Sequence, residues 1–187
     1  MVAIKKTKCS LGLDVSTTCL GICAIDENNN IVYSKALQLH KYEHPDKKKP
    51  VEEEFEKIAR EFDVQTVCIE APLFMRGKTS ADTITKMFFF NGWVSCFAYM
   101  KFKKYPKYVN LNKARQKHGL RVPGKEITKE NTSKKKVLDF LVALGYPLVE
   151  ERTRQGNVRA SSYDISDAAF ACFVGRNADD EDCWVSI

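Results

Sequence analysis

The sequence predicts an α/β fold built on a mixed sheet, and three observations carry that prediction. Three apolar stretches near the N-terminus are separated by short turns, which implies an antiparallel meander. An amphipathic helix and another apolar strand follow, and such a crossover implies parallel pairing beside the meander. The second half of the chain is dominated by segments of helical period.

The elements follow in order. Residues 9–15 and 19–26 read as the first two strands, and Asp26-Glu27-Asn28-Asn29-Asn30 as the turn into a third, 31–37. Residues 40–50 are polar, contain prolines and read as a loop. From Val51 to Phe62 a helix is expected, with Val51, Phe55, Ile58, Ala59 and Phe62 on one face. Residues 64–69 form a buried strand that Glu70 ends, and 71–78 a loop. Ser80 or Thr79 caps a helix over 81–102, which is apolar around much of its girth. Its surplus apolar face is either core or a dimer interface. A short strand at 108–111, a short helix at 112–120 and a basic loop at 121–131 come next. Thr132 or Ser133 caps a helix that Gly145 stops. After a loop at 146–160, Ser161 or Ser162 caps the last helix, which runs to about Gly175 and leaves a frayed acidic tail.

The 187 residues suit one domain, 1–187, with a basic extension at 1–8 and the acidic tail at 178–187. No apolar run is of membrane-spanning length, and no signal-peptide core follows the basic start. The expected location is intracellular and DNA-associated, in a bacterial or infected cytoplasm or in an organelle, and not secreted. Seven cysteines without a Cys-x-x-Cys pair, and three scattered histidines, give no zinc spacing. The net charge of +6 is uneven. Residues 101–136 hold thirteen Lys and Arg against two Glu, a net +11, while the remainder sums to −5. Such a block is either a solvated basic surface or the footprint of a polyanion, foremost nucleic acid.

Four acids stand out. Asp14 ends an apolar strand in Ser10-Leu11-Gly12-Leu13-Asp14-Val15-Ser16-Thr17-Thr18, and Glu70 ends another. Asp164 and Asp167 lie three apart in the last helix, on one face, beside Ala168, Ala169 and Ala171. Small residues let a helix approach a sheet closely. Each acid has an ordinary explanation: a turn aspartate, a solvated strand end, or favourable charge near a helix N-terminus. Together at one sheet edge they would repel strongly without a cation. Clustered carboxylates suit Mg²⁺ or Mn²⁺, and two such ions support phosphodiester cleavage.

With these residues in place, the sequence resembles the RuvC family of Holliday junction resolvases, within the RNase H-like superfamily, over Leu11 to about Arg176. The resemblance rests on Leu11-Gly12-Leu13-Asp14 with Gly21 in the next strand, on Val67-Cys68-Ile69-Glu70 before the long helix, on Lys134 ahead of an amphipathic helix, and on Asp164-Ile165-Ser166-Asp167-Ala168-Ala169. The chain departs from the bacterial pattern at Val15-Ser16-Thr17-Thr18 and in the 71–79 loop, as a divergent viral, phage or organellar member would.

The resemblance implies an RNase H-like fold: a five-stranded mixed sheet, meander plus parallel strands, flanked by helices. It implies a homodimer through the 81–102 helix, whose twofold suits a near-symmetric four-way junction. The implied activity is a structure-selective, metal-dependent endodeoxyribonuclease that resolves four-way DNA junctions to 5′-phosphate and 3′-hydroxyl ends. Asp14, Glu70, Asp164 and Asp167 would hold two Mg²⁺ per site, with Mn²⁺ as a substitute, and Lys134 would lie by the scissile phosphate with Lys135 as the fallback. Phe74 or Leu73 would stack at the crossover, or pack on the loop's own hinge. Arg76, Lys78, Lys113, Arg115, Lys117, Lys125 and Lys129 would contact phosphates. Ser16 and Thr17 would hold a phosphate or serve as turn hydroxyls. The alternatives are a broader branched-DNA or RNA–DNA hybrid nuclease and a non-cleaving junction-binding module. The opening strand also resembles that of actin-like sugar kinases, but nine glycines in no phosphate-binding cluster do not support that fold.

Overall fold

The computed structural model describes residues 5–43, 45–72, 80–128 and 131–185. Strands β1 (Thr7–Val15), β2 (Cys19–Asp26) and β3 (Ile31–Gln38) form the meander. Helix α1 (Lys48–Glu61) leads to β4 (Phe62–Glu70), which pairs parallel with β1. The long helix α2 (Ala81–Phe102) precedes β5 (Lys107–Val109), again parallel to its neighbour β4. Then come α3 (Leu111–Lys117), α4 (Ser133–Ala143), α5 (Ala160–Arg176), a 3-10 turn (Ala178–Cys183) and β6 (Trp184–Val185). The sheet order is β3-β2-β1-β4-β5-β6.

Strand alternation divides the core in two. Leu11 and Leu13 of β1, Leu20 and Ile22 of β2, and Val67 and Ile69 of β4 face α1 and α2, where Val51, Phe55, Ile58, Val94 and Ala98 meet them. Cys23, Ile25, Cys68 and Val109 face the other way, onto Ala168, Phe170, Ala171 and Cys172 of α5, with α3 and α4 outside. Side chains one step along from the Leu and Ile positions therefore share the face that α5 covers. The seven cysteines are free thiols, and all but Cys96 are buried, as small apolar residues are.

Several boundaries differ from those expected. Helix α1 begins at Lys48 rather than Val51, because Pro50 sits in the first turn, where its missing N–H loses no helical bond. Phe62 opens β4 instead of closing α1. Glu54, placed on the polar side by periodicity, is buried and takes hydrogen bonds from Tyr33 and Lys35, which fastens α1 to β3. Ser80 caps α2 and Thr132 caps α4, each accepting an amide N–H (Thr83 at 3.2 Å, Lys135 at 3.0 Å). Neither Ser161 nor Ser162 caps α5, which starts after Arg159 without a side-chain cap. The Ser162 hydroxyl instead accepts the Glu151 N–H at 3.0 Å, pinning the preceding loop.

The largest departure is the tail. It does not fray through Val185; it docks and supplies a sixth strand. Asn177 accepts the Asp179 N–H at 3.1 Å to start the 3-10 turn. The buried Asp180 meets Lys117 at 3.2 Å and His118 at 3.1 Å. Asp182 pairs with Lys117 at 2.8 Å and Lys113 at 3.2 Å. β6 then pairs antiparallel with β5, and the Lys107 ammonium sits 3.8 Å from the centre of the Trp184 ring. Clustered acids that look like a solvated tail in sequence are counter-ions to α3.

Two outcomes follow from this docking. The Asp182 carboxyl is held down to about 2, by Lys117 and then Lys113. Its contribution is complete above the unfolded carboxylate value of about 4 and is lost as pH falls through about 2. Hydrogen exchange in the β5–β6 ladder should therefore accelerate at the acid end while the meander stays protected. Asp180→Ala should cost about 1–3 kcal/mol in urea unfolding, the scale for a lost charge-assisted hydrogen bond.

Candidate active site

Asp14 follows Gly12 by two positions on β1, so it lies on the α5 face. Glu70 follows Cys68 in the same way on β4. The parallel register pairs Gly12 with Cys68 and Leu13 with Ile69, and so sets Asp14 and Glu70 beside each other one step further along. Their side chains share a hydrogen bond.

Helix α5 brings in the other two acids, and it can do so because two strand positions lack a side chain. A Cβ on Gly12 would stand 1.9 Å from the Ala168 carbonyl oxygen. A Cβ on Gly21, the β2 partner of Asp14, would stand 2.2 Å from the Asp164 carbonyl oxygen and 3.2 Å from the Asp14 Cβ. The α5 backbone thus rests on the β1 and β2 backbones, closer than any Cβ would allow. That contact carries Asp164 and the buried Asp167 to the strand ends.

Two cations complete the cluster. Arg115 of α3 donates to Asp167 at 2.6 Å. Lys134, in the first turn of α4, reaches Asp167 at 3.2 Å and Asp164 at 3.8 Å. Behind the acids, the buried Asn91 of α2 donates to the Glu70 carbonyl at 3.1 Å, and the Ser95 hydroxyl donates to the Asn91 carbonyl at 2.7 Å. The end of β4 is therefore held from α2 as well as from the sheet.

The electrostatics follow. Burial, and then the charge of Glu70, raise the Asp14 carboxyl well above its ordinary value. Burial also raises Glu70, with Asp167 adding to it, while Arg115 and Lys134 pull the other way. The pair keeps a proton to higher pH than free carboxyls do. Burial would lower the Lys134 ammonium, but Asp167, Asp14 and Asp164 outweigh it and hold it charged. The Cys19 thiol is pushed up to about 12 by burial and by its bond to Asp164, and so is no nucleophile.

Clustered hard carboxylate oxygens are the donor set that divalent Mg²⁺ or Mn²⁺ prefers, so the residues suit such an ion. Among the described residues no three such side chains stand ready-made as a ligand group. Here a shared hydrogen bond joins Asp14 to Glu70, and Arg115 and Lys134 engage Asp167.

The other expected site residues divide. Ser16 is spent on the β1–β2 turn, donating to the Cys19 carbonyl at 2.8 Å and accepting its N–H at 3.0 Å. The Thr17 carbonyl accepts from Lys47. Lys135 points away from the acids, to Asp139 at 2.5 Å and Glu150 at 3.1 Å, which leaves Lys134 as the lysine at the cluster. Lys113 and Lys117 hold the tail. Arg115, expected at a phosphate-binding surface, lies inside the cluster. Lys125 is exposed in a 3-10 turn at Gly124–Glu126. Leu73, Phe74, Arg76, Lys78 and Lys129 lie outside the described residues. Sequence reasoning missed Asn91 and Ser95; polar residues at 91 and 95 inside an apolar helix were the available signal.

The fold is of the RNase H-like class. Among solved structures it is similar to RuvC of Thermus thermophilus in complex with a Holliday junction substrate (TM-score 0.57, 12% identity, 92% of this chain and 96% of that one). It is also similar to Thermus thermophilus RuvC solved separately (0.55, 14%, 90% and 95%). A third neighbour is Ydc2, the yeast mitochondrial Holliday junction resolvase (0.54, 13%, 91% and 78%). No protein-family model and no curated protein sequence matches the chain. At such identities the likeness is one of fold, and the chain shares the RuvC architecture nearly end to end.

Three substitutions test the site. Gly12→Ala and Gly21→Ala should each lower stability by about 1–3 kcal/mol or more in denaturant titrations, the cost of overpacking a closed contact. Asp14→Asn should act in the opposite direction in chelator. A carboxyl whose folded pKa is raised withdraws stability as pH climbs from about 4 through that pKa. The variant should therefore gain on the wild type from pH 4 to pH 8.

Proposed function

We propose that the chain is a structure-selective endodeoxyribonuclease that cuts four-way DNA junctions. The observation that carries this reading is the convergence of Asp14, Glu70, Asp164, Asp167 and Lys134 at one end of a sheet whose architecture is that of junction resolvases. In this reading 1–187 works as one nuclease unit.

Asp14, Glu70, Asp164 and Asp167 would hold two divalent cations, Mg²⁺ with Mn²⁺ as substitute. When bound, these supply the Lewis acidity that activates water and stabilises the leaving oxygen of a phosphodiester. The chain's own groups do the rest. Asp167 steers Lys134 to the rim of the cluster, where it presents a charged donor to an incoming phosphate, and the buried Arg115 holds Asp167 in place from inside. Asn91 keeps the end of β4 in place, so Glu70 approaches Asp14 at a set height. The products would carry 5′-phosphate and 3′-hydroxyl ends.

Paired cutting needs two sites. Helix α2 leaves Phe88, Phe89, Gly92, Cys96 and Met100 along one exposed stripe, with Phe89 76% and Met100 51% exposed. The opposite side of α2 carries the core residues Phe90, Val94 and Ala98. A second copy packing on that stripe would bury it isologously and give a twofold dimer with two carboxylate clusters.

A cleavage assay with Mg²⁺ on four-way, flap, plain duplex and RNA–DNA substrates tests the reading. Junctions should be cut at symmetric positions in strands of like polarity, and plain duplex left intact. Asp14→Asn should lower cutting by about 10³-fold or more while junction binding persists, the scale for losing a group that acts as a unit with its neighbours. Equal cutting of duplex and junction would remove the selectivity, and retained cutting by Asp14→Asn would remove Asp14 from the site. Phe89→Asp should shift the protein to monomer in sedimentation velocity and uncouple the two cuts.

A further inference from the structure

The opposite end of the sheet carries a second charged feature that the proposed reaction does not use. A cleft of about 620 Å³ opens where β1 and β4 begin and α2 ends. Lys5, Lys6 and Lys8 line it from β1 and the residues before it, and Lys101, Lys103 and Lys104 from the end of α2. Phe102 and Val64 are buried in its floor, and its described lining holds one carboxylate, Asp63. Lys6 donates to the Ala59 carbonyl at 2.5 Å, and Lys101 pairs with Glu56 at 3.1 Å. Lys5, Lys8, Lys103 and Lys104 have no ion pair among the described residues.

Lysines at a helix C-terminus have an ordinary role, since they offset the negative end of the macrodipole. That accounts for Lys101 and its neighbours on α2 but not for three more lysines delivered by a different element to the same concavity. Lys5, Lys8, Lys103 and Lys104 repel one another across the cleft, and a polyanion laid over them would offset that repulsion. The cleft is also far from the carboxylates. Lys8 and Asp14 are six residues apart on β1, about 20 Å at about 3.3 Å per residue. A phosphate at one cannot be the phosphate at the other.

We propose that this lysine cleft is a second binding surface for the phosphate backbone of a nucleic-acid duplex, separate from the carboxylate cluster. It rests on the nuclease reading only for the identity of the polyanion. Its place at the far end of the sheet suits a DNA arm that is not being cut. The cleft's apolar lining is Ala59, Phe62, Val64 and Phe102, the last two buried and the first two half-buried, so no fully exposed aromatic stands ready to insert into a lipid surface.

Lysine footprinting by amine acylation and mass spectrometry tests this on the intact wild-type chain in chelator, where no cutting occurs. A 30-bp duplex should protect Lys5, Lys8, Lys103 and Lys104. Lys5→Gln, Lys8→Gln and Lys104→Gln combined should make the slope of log affinity against log salt shallower by about 2 to 3, the release expected from three phosphate contacts. Lys134→Ala should leave cleft protection as it is. Absence of protection by duplex, or an unchanged slope in a folded triple variant, overturns the proposal. So does equal protection by inorganic tripolyphosphate at matched phosphate concentration, which assigns a small-anion site, or protection by phosphatidylserine vesicles but not by DNA. If junctions are not cut yet the duplex protects the cleft, the nuclease reading falls and this one stands; cutting without protection gives the reverse.

Discussion

The approach of the α5 backbone to β1 and β2 governs this molecule. A helix normally rests on a sheet through two layers of side chains, about 10 Å from axis to strand. Here Gly12 and Gly21 remove the sheet's layer, and Ala168, Ala169 and Ala171 thin the helix's own. The helix drops until carbonyl oxygens of Asp164 and Ala168 lie where strand side chains would otherwise be. Its first turns then stand level with the end of β1. With an ordinary residue at position 21, Asp164 would be lifted away from Asp14 and the acids would stand as two separate pairs. The glycines act on the chemistry without taking part in it.

That convergence is costly to the fold, and the surroundings show how the cost is limited. Burial and neighbouring charge, Asp167 among it, raise the proton affinity of both Asp14 and Glu70, so the two cannot both ionise there without help. Arg115 and Lys134 give Asp167 two counter-charges, and the hydrogen bond between Asp14 and Glu70 shares one proton between two groups. Both cations come from elements outside the α5–sheet sandwich. Helix α3 is itself clamped by the tail through Lys113, Lys117 and His118. The docked tail is therefore part of what orients Arg115. A segment that looks dispensable in sequence contributes to the electrostatics of the cluster through one short helix.

What could be read from sequence follows from which forces are local. Strand alternation in β1, β2 and β4, the apolar period of α4 and the Ser80 and Thr132 caps depend on near neighbours, and the chain order shows them. Asp14, Glu70 and the Asp164/Asp167 pair were legible because each sits beside a strongly patterned element. Glu54, Asp180 and Arg115 were not legible. Their burial depends on Tyr33 and Lys35, on Lys117 and His118, and on Asp167, partners 19 to 63 residues away. A charged residue advertises exposure until its counter-ion is located, and that requires the fold. Ser162 illustrates the same limit at short range. Its position suits a helix cap, but the Glu151 amide reaches the hydroxyl first.

The parallel core of the sheet gives the two ends of the protein different characters. In β1 and β4 the chain runs in one direction, so both strands end together and both begin together. The carboxylates collect where the strands end, because the first turns of α5 meet the sheet there, and the carboxyl ends of parallel strands are where open sheets commonly place their sites. The lysines collect where the strands begin, beside the C-terminus of α2, whose carbonyl end favours positive charge. Backbone polarity thus puts acid at one end of the sheet and base at the other. A polyanion is repelled by the bare acidic end, where Arg115, Lys134 or a bound cation must first offset the charge, and attracted outright by the basic end. The net +6 of the chain is consequently a poor guide to where nucleic acid would sit. The two ends lie about 20 Å apart along β1, so no single phosphate meets both, and each end must be offset by its own charge.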